Sequence, residues 1–171
     1  MRETRMKPIE SARGNRKERE KYASRNLWTG ILFGLGLVAF IDEVVFHQLL
    51  HWHHFYDKST KDIGLVSDGL FHAFSWFATI ASSFMLADLH RRHAFWLSQW
   101  LGGILLGGGV FQLYDGIIQH KLMRLHQIRY NVDIRPYDWA WNVIAALMIA
   151  AGLILILRTR HVRTHAEGAD S

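Results

Sequence analysis

The sequence contains no cysteine in its 171 residues. This absence excludes disulfide bonds and thiolate metal ligands, and it leaves histidine and carboxylate side chains as ligands for any metal ion. The motif C-x-x-C-H, which attaches c-type haem covalently, is absent for the same reason. The zinc-protease motif H-E-x-x-H is absent as well.

The first apolar run is not expected to be a cleavable targeting signal. The first apolar run begins only after a tail of about 25 residues, and no small-x-small cleavage site follows this run. Between Leu27 and Leu50 the only charged residues are Asp42 and Glu43. Three comparable apolar stretches follow, at Leu70–Ala87, Phe95–Ile118 and Trp139–Leu157. Since a membrane-spanning helix needs about 20 mostly apolar residues, the sequence predicts an all-α membrane four-helix bundle.

The distribution of Lys and Arg predicts the orientation, because the cytoplasmic loops of membrane proteins carry an excess of both. The N-terminal tail, the turn between spans 2 and 3 and the C-terminal end hold 14 of the 20 basic residues. Both termini are therefore expected to be cytoplasmic. Residues 1–25 are expected to form a disordered basic tail, residues 26–160 the bundle and residues 161–171 a second tail. The tail is expected to be solvated and to set the topology, since no basic patch interleaved with several aromatic residues argues for nucleic acid. The expected partner is the lipid bilayer.

Two segments of the chain resemble each other at an offset of 73 residues. Nine of 24 positions are identical between GILFGLGLVAFIDEVVFHQLLHWH, from Gly30, and GILLGGGVFQLYDGIIQHKLMRLH, from Gly103. If the second loop is three residues shorter, Asp68 also matches Asp138, and His72 matches Asn142. We therefore predict two tandem two-helix repeats, about residues 27–92 and 100–160, related by an axis along the membrane normal.

Each repeat begins with two glycines four residues apart, Gly30-x-x-x-Gly34 and Gly103-x-x-x-Gly107. Small residues at this spacing let the backbones of two membrane helices approach closely. We expect tight packing in the cytoplasmic half and a more open outer half. Helix flexibility is the competing explanation for so many glycines.

Ionisable side chains cluster toward the outer ends of the predicted spans. Such groups are costly in hydrocarbon, so they usually face the bundle interior and mark a functional site. On an ideal α-helix, Glu43, His47 and His54 share one stripe, while Asp42 and His53 form a second stripe about a third of a turn away. The candidate metal ligands are Asp42, Glu43, His47, His51, His53, His54, Asp68, His72, Asp115, His120, His126 and Asp138.

Some of these residues have simpler explanations. Asp68 and Asp138 could stabilise the positive N-terminal ends of spans 2 and 4. His53, His54 and His126 could be exposed at the membrane interface. The Asp–His pairs that recur deeper in spans 1 and 3 are harder to explain in this way.

Aspartate and histidine side chains without cysteine are typical ligands of copper, zinc or iron. The leading hypothesis is an integral membrane metal-binding protein with its site in the outer half of the bundle. One alternative is a b-type cytochrome in which His47 and His120 are the axial ligands of haem. The others are a proton or metal-ion carrier and a non-catalytic accessory subunit of a respiratory complex. No nucleophile–base pair is specific enough to name a reaction, so catalysis stays open.

The chain resembles a bacterial family of small four-span proteins, domain of unknown function 2243. The resemblance covers about residues 28–157 and is carried by I-D-E-V-V-F-H-Q-L-L-H-W-H-H, S-D-G-L-F-H and Y-D-G-I-I-Q-H-K-L-M-R-L-H-Q-I-R. It implies the four-span fold in the inner membrane of a bacterium and no established activity. Members of the family lie near oxidase-assembly genes, which slightly favours copper as the metal and an oxidase or another membrane complex as a partner.

Overall fold

The computed structural model describes residues 8–169 of the chain, with side chains described for residues 17–159. Within this range the chain forms four long helices and no strand. Their bounds are α1 Pro8–Asp42, α2 Lys61–Arg91, α3 Leu97–Tyr114 and α4 Arg135–Ala169. All four helical segments are long and apolar enough to cross a membrane. The predicted all-α four-helix architecture is confirmed.

Helices α1 and α4 both extend beyond the predicted spans. Helix α1 begins at Pro8, so residues 8–25 of the predicted tail are helical, whereas residues 1–7 lie outside the described residues. Helix α4 continues to Ala169, and residues 170–171 lie outside the described residues. The cytoplasmic position of both ends stays a prediction.

The backbones of α1 and α3 touch at the predicted glycine spacings. A Cβ atom added to Gly34 would lie 2.1 Å from the carbonyl oxygen of Ile104, and one added to Gly107 would lie 2.1 Å from that of Ile31. Neither distance leaves room for a side chain, so close packing at both positions requires glycine. The two contacts are also counterparts at the offset of 73 residues.

Helices α2 and α4 flank this central pair, with α2 against α1 and α4 against α3. Both carry large apolar side chains that point outward, and Leu70, Phe84, Trp139 and Leu147 are exposed. Exposed apolar surface of this extent marks contact with a membrane or a partner. The large side chains that α2 and α4 expose are therefore apolar, and buried polar side chains lie in the interior of the bundle.

Helices α1 and α3 each continue into a π-helix, π1 at Glu43–Leu49 and π2 at Asp115–Leu122. In a π-helix the backbone hydrogen bond spans five residues instead of four. Such segments are rare, and they occur frequently at functional sites. Both π-helices lie where the predicted polar residues begin.

The turns after the two π-helices share their geometry. Leu50 donates a backbone hydrogen bond to Val45 at 2.9 Å, and its counterpart Met123 donates one to Ile118 at 2.7 Å. The next residue of each turn has a left-handed φ, 49° in the first turn and 52° in the second. This agreement at an offset of 73 residues supports the predicted repeat, although duplication of an ancestral unit stays a prediction.

The glycine contact generates a prediction for stability. Gly34→Ala should destabilise the protein by about 1–3 kcal/mol, because the added methyl group collides with the backbone of α3. Gly69→Ala is the matched control, since a Cβ atom at Gly69 meets nothing within 4 Å and alanine favours the helix. Unfolding of both variants in detergent, followed by circular dichroism, measures the difference. Equal stability of the two variants would contradict the assigned contact.

Candidate metal centre

The π2 segment and the loop after it bring one carboxylate and two imidazoles together. Asp115 Oδ2 lies 3.0 Å from His120 Nε2, and Asp115 Oδ1 lies 3.5 Å from His126 Nε2. The two Nε2 atoms are 3.1 Å apart. All three side chains are buried, and one ligand atom from each lies within 4.8 Å of the other two. A metal ion bound about 2 Å from nitrogen and oxygen ligands requires this kind of spacing.

The π1 segment holds the corresponding histidine of the other half. His47 Nε2 lies 3.9 Å from Asp42 Oδ2, and it has no hydrogen-bond partner among the described residues. The other ring nitrogen, Nδ1, lies 2.8 Å from Glu43 Oε2 and 3.1 Å from Asp68 Oδ1. Asp68 is therefore the hydrogen-bond partner of Nδ1, Glu43 lies within ion-pair distance of the same atom, and Nε2 is left without a partner.

A pair of stacked imidazoles joins the two halves. The rings of His53 and His126 have centroids 4.5 Å apart and an interplanar angle of 5°. His53 Nδ1 donates to the carbonyl oxygen of Ile128 at 3.0 Å, and His126 Nδ1 donates to that of Phe55 at 2.9 Å. Because Nδ1 is the donor in both rings, Nε2 carries the lone pair when the rings are neutral.

His53 is held in the neutral form. Burial, together with the neighbouring imidazoles of His126 and His47, lowers the pKa of the His53 imidazole to about 2. Neutral imidazole is the form that binds metal ions. The protonation state of His53 therefore suits a ligand rather than a surface charge.

The two halves match in their ring geometry. The centroids of His47 and His53 are 4.5 Å apart at an interplanar angle of 69°, and those of His120 and His126 are 4.7 Å apart at 78°. We call these groups the first and second half-sites. The first half-site is Asp42, His47 and His53, and the second half-site is Asp115, His120 and His126.

Four buried carboxylates lie in or beside the half-sites: Asp42, Glu43, Asp68 and Asp115. Within the described part of the chain, all their ion-pair partners are histidines, and no Lys or Arg contributes. The charges of Asp42 and Asp115 also repel each other. Burying carboxylates without a cationic partner is costly, so a bound cation would stabilise this arrangement.

Nine of the twelve predicted ligands lie in or against the cluster. His54 joins it through Asp68, with His54 Nδ1 2.6 Å from Asp68 Oδ2. Asp68 is therefore more than a helix-terminal charge, because it contacts two histidines. The alternative of an exposed interfacial side chain is wrong for His53 and His126, which are 6% and 2% exposed.

Three predicted ligands lie apart from the cluster. His51 is exposed in the loop after π1. His72 packs its ring against Phe40, with centroids 5.3 Å apart. Asp138 forms an ion pair with Lys121. His72 and Asp138 therefore belong to neither half-site.

The stripes expected for an ideal α-helix match the structure only in part. Glu43 and His47 do share one side, but Asp42, which was expected on the second stripe, faces the same imidazole. At about 100° per residue, Asp42 and His47 would lie about 140° apart. The wider turn of π1 brings the two side chains to the same side, because its hydrogen bonds span five residues. Residues 50–60, between π1 and α2, are not helical, so His53 and His54 reach the cluster from a loop. The available signal was the Asp–His spacing of five residues, which occurs in both repeats.

A polar cavity of about 660 Å³ lies next to the cluster. His51, His53, His54, Asp57 and Lys61 are among the residues that line it. His53 belongs to the first half-site, and His51 is exposed to solvent. The cavity therefore leads from the loop surface to the buried imidazoles.

Comparison with known proteins gives a family and no function. No curated protein and no solved structure matches the chain. A family model described as "Predicted membrane protein (DUF2243)" matches residues 29–159. This range includes all four candidate spans apart from the N-terminal end of the first. It also includes both half-sites. The chain therefore belongs to the DUF2243 family of predicted membrane proteins.

Proposed function

We propose that this membrane protein binds transition-metal ions, copper, zinc or iron, between the two half-sites. The observation that carries the proposal is the arrangement of the four buried imidazoles. In three of them Nδ1 is engaged by a carboxylate or a backbone carbonyl. The Nε2 atoms of His120 and His126 face the carboxylate of Asp115.

This arrangement is typical of a metal site in which further hydrogen bonds orient the histidine ligands. A histidine that binds a metal ion through one nitrogen almost always donates its other N–H to a carboxylate, a carbonyl or water. His53 and His126 donate to carbonyl oxygens, and His47 faces carboxylates. The proposed ligand atoms are therefore Nε2 of each imidazole, together with the carboxylates of the half-sites.

Glu43 and Asp68 are proposed to orient His47 instead of binding the ion directly. Although these three residues form a compact group, both carboxylates approach the same atom, Nδ1, at hydrogen-bond distances of 2.8 and 3.1 Å. If Nδ1 bound the metal, Nε2 would be left buried without a partner among the described residues. Assigning Nε2 as the ligand satisfies both ring nitrogens.

Charge favours two divalent ions over one. Four buried carboxylates carry a charge of −4 when ionised, and neutral imidazoles do not balance it. Two divalent ions would neutralise this charge within the cluster. Nitrogen and carboxylate ligands suit zinc, copper(II) and iron(II).

The other hypotheses have less support. Haem bound by His47 and His120 would need the space next to both imidazoles. The stacked rings of His53 and His126 already fill this space, because they contact both His47 and His120. For a carrier, the glycine contact between α1 and α3 closes the route between these helices at their other end. An accessory role beside an oxidase or another membrane complex is compatible with metal binding.

Metal content tests the proposal directly. Purified wild-type protein should carry up to two metal ions per chain, and His120→Ala should remove at least half of them, because the second half-site loses a ligand. His72→Ala is the matched control, since His72 is a histidine of α2 outside both half-sites. Elemental analysis by plasma mass spectrometry gives the metal identity and the stoichiometry.

Two outcomes would end the proposal. One is wild-type protein that takes up none of the three metals after dialysis against them. The other is an equal loss of metal in both histidine variants, which would point to general unfolding. An intense Soret absorption in the same preparation would favour the haem hypothesis instead.

Glu43→Gln tests the orienting role. The variant should keep its metal stoichiometry and lose affinity by about 10–100-fold, as expected when a metal-binding histidine loses the carboxylate behind it. Competition with a chelator of known affinity measures the change. Complete loss of one metal ion would instead identify Glu43 as a direct ligand.

The polar cavity predicts a route for loading the site. His51→Ala should slow metal uptake by the metal-free protein several-fold and leave the final stoichiometry unchanged, because His51 lines the cavity without joining a half-site. His93→Ala is the matched control, as His93 is also exposed and has a similar left-handed φ, 51° against 49°. Uptake can be followed by stopped-flow with a metal-sensitive dye. Identical rates in the two variants would refute this route.

A further inference from the structure

A second, apolar cavity of about 550 Å³ lies between α1, α2 and α3. Its walls include Phe71 and Phe111, which are buried, and its rim includes Leu70, Phe74 and Val110, which are about half exposed or more. All five residues belong to candidate membrane spans. The cavity is of the size that binds small molecules, about 300–1,000 Å³, and it opens toward lipid.

The counterpart of this cavity in the other repeat is filled by aromatic side chains. There, Phe46 packs against Trp52 and Trp141, with centroids 5.1 and 5.5 Å away. Tyr137 packs against Trp52 at 5.7 Å. Two residues that line the cavity are smaller or more polar than their counterparts in the other repeat: Gln119 stands for Phe46 and Ser67 for Tyr137. The open space therefore comes from specific substitutions and not from loose packing in general.

Gln119 is the polar residue of the cavity wall that lacks a partner. Its side chain is 4% exposed, and its Oε1 atom has no hydrogen-bond partner within residues 17–159. A buried carbonyl oxygen without a hydrogen-bond partner destabilises the protein relative to a paired one. By contrast, the hydroxyl group of Ser67 is satisfied, because it donates to the carbonyl of Gly64 at 2.6 Å. A hydroxyl group of a ligand would complete the hydrogen bonding of Gln119.

The inner wall suits a flat ring. The ring of Phe71 is nearly parallel to those of Phe55 and Phe111, with interplanar angles of 24° and 18°. Aromatic rings at centroid distances of about 4.5–7 Å attract one another when offset or tilted. The same Phe71 ring lies 5.8 Å from the ring of His47. A ligand in the cavity would thus lie one aromatic side chain away from the first half-site.

We propose that this cavity binds a membrane quinol. The quinol ring would lie against the phenylalanine wall, one of its hydroxyl groups would donate to Gln119 Oε1, and its isoprenoid tail would leave past Leu70 and Val110 into lipid. This binding does not depend on the proposed metal function. It gives the cavity a ligand class defined by an aromatic ring, a hydrogen-bond donor and an apolar chain.

Binding can be tested by titration calorimetry on the full-length protein in detergent, with empty micelles as the blank. The probes are decylubiquinol and its dimethyl ether, which keeps the ring and the chain but has no donor. Wild-type protein should bind the quinol about tenfold more tightly than the ether. Gln119→Leu should weaken quinol binding to the level of the ether. Equal affinity of the wild type for both probes would overturn the proposal.

A second pair of variants keeps Gln119 in place. Val110→Trp should abolish binding by filling the mouth of the cavity, whereas Val143→Trp should not, because Val143 is a similarly exposed valine on α4. Equal binding by these two variants would also overturn the proposal. All titrations are repeated after metal removal with a chelator. Quinol binding that survives this step separates the cavity from the metal site, so either proposal can fail alone.

Discussion

The contact between α1 and α3 at their glycines determines where the polar residues of the bundle meet. Gly34 and Gly107 allow backbone to touch backbone, which fixes the two helices in one register. Because π1 and π2 continue these helices, the same register places Asp42 and Asp115 near each other. A larger residue at either glycine would separate the helices and with them the half-sites. The glycine contact at one end of α1 and α3 thus determines the distance between the half-sites at the other end.

Burial makes the cluster unstable without a positive charge. The carboxylates of the half-sites have only imidazoles as ion-pair partners among the described residues. His53 resists protonation because burial and the neighbouring imidazoles lower its pKa to about 2, so it does not supply the charge. Hydrogen bonds to imidazole would offset only part of the cost of desolvation. The proposed metal ion would supply the missing charge, and it would bind the unpartnered Nε2 of His47.

The four helices and most of the candidate ligands could be predicted from the sequence, because hydropathy and the cost of buried charge leave strong local signals. The π-helices could not, since periodicity analysis assumes 3.6 residues per turn. The loop that returns His53 to the bundle is held by the backbone carbonyl of Ile128, which has no side-chain signal. His72 and Asp138 have the same residue types as members of the cluster, so the sequence does not distinguish them. Only the tertiary structure shows that His72 packs against Phe40 and that Asp138 pairs with Lys121.

The two half-sites are not equivalent, and the difference has a steric basis. Glu43 stands behind His47, but the counterpart of Glu43 is Gly116. A Cβ atom at Gly116 would lie 2.7 Å from side-chain atoms of both Asn142 and Trp141, so a carboxylate could be added there only by displacing these side chains of α4. His120 Nδ1 accordingly has no hydrogen-bond partner in the described part of the chain. A carboxylate behind an imidazole raises its basicity, so the first half-site should bind an ion more strongly than the second.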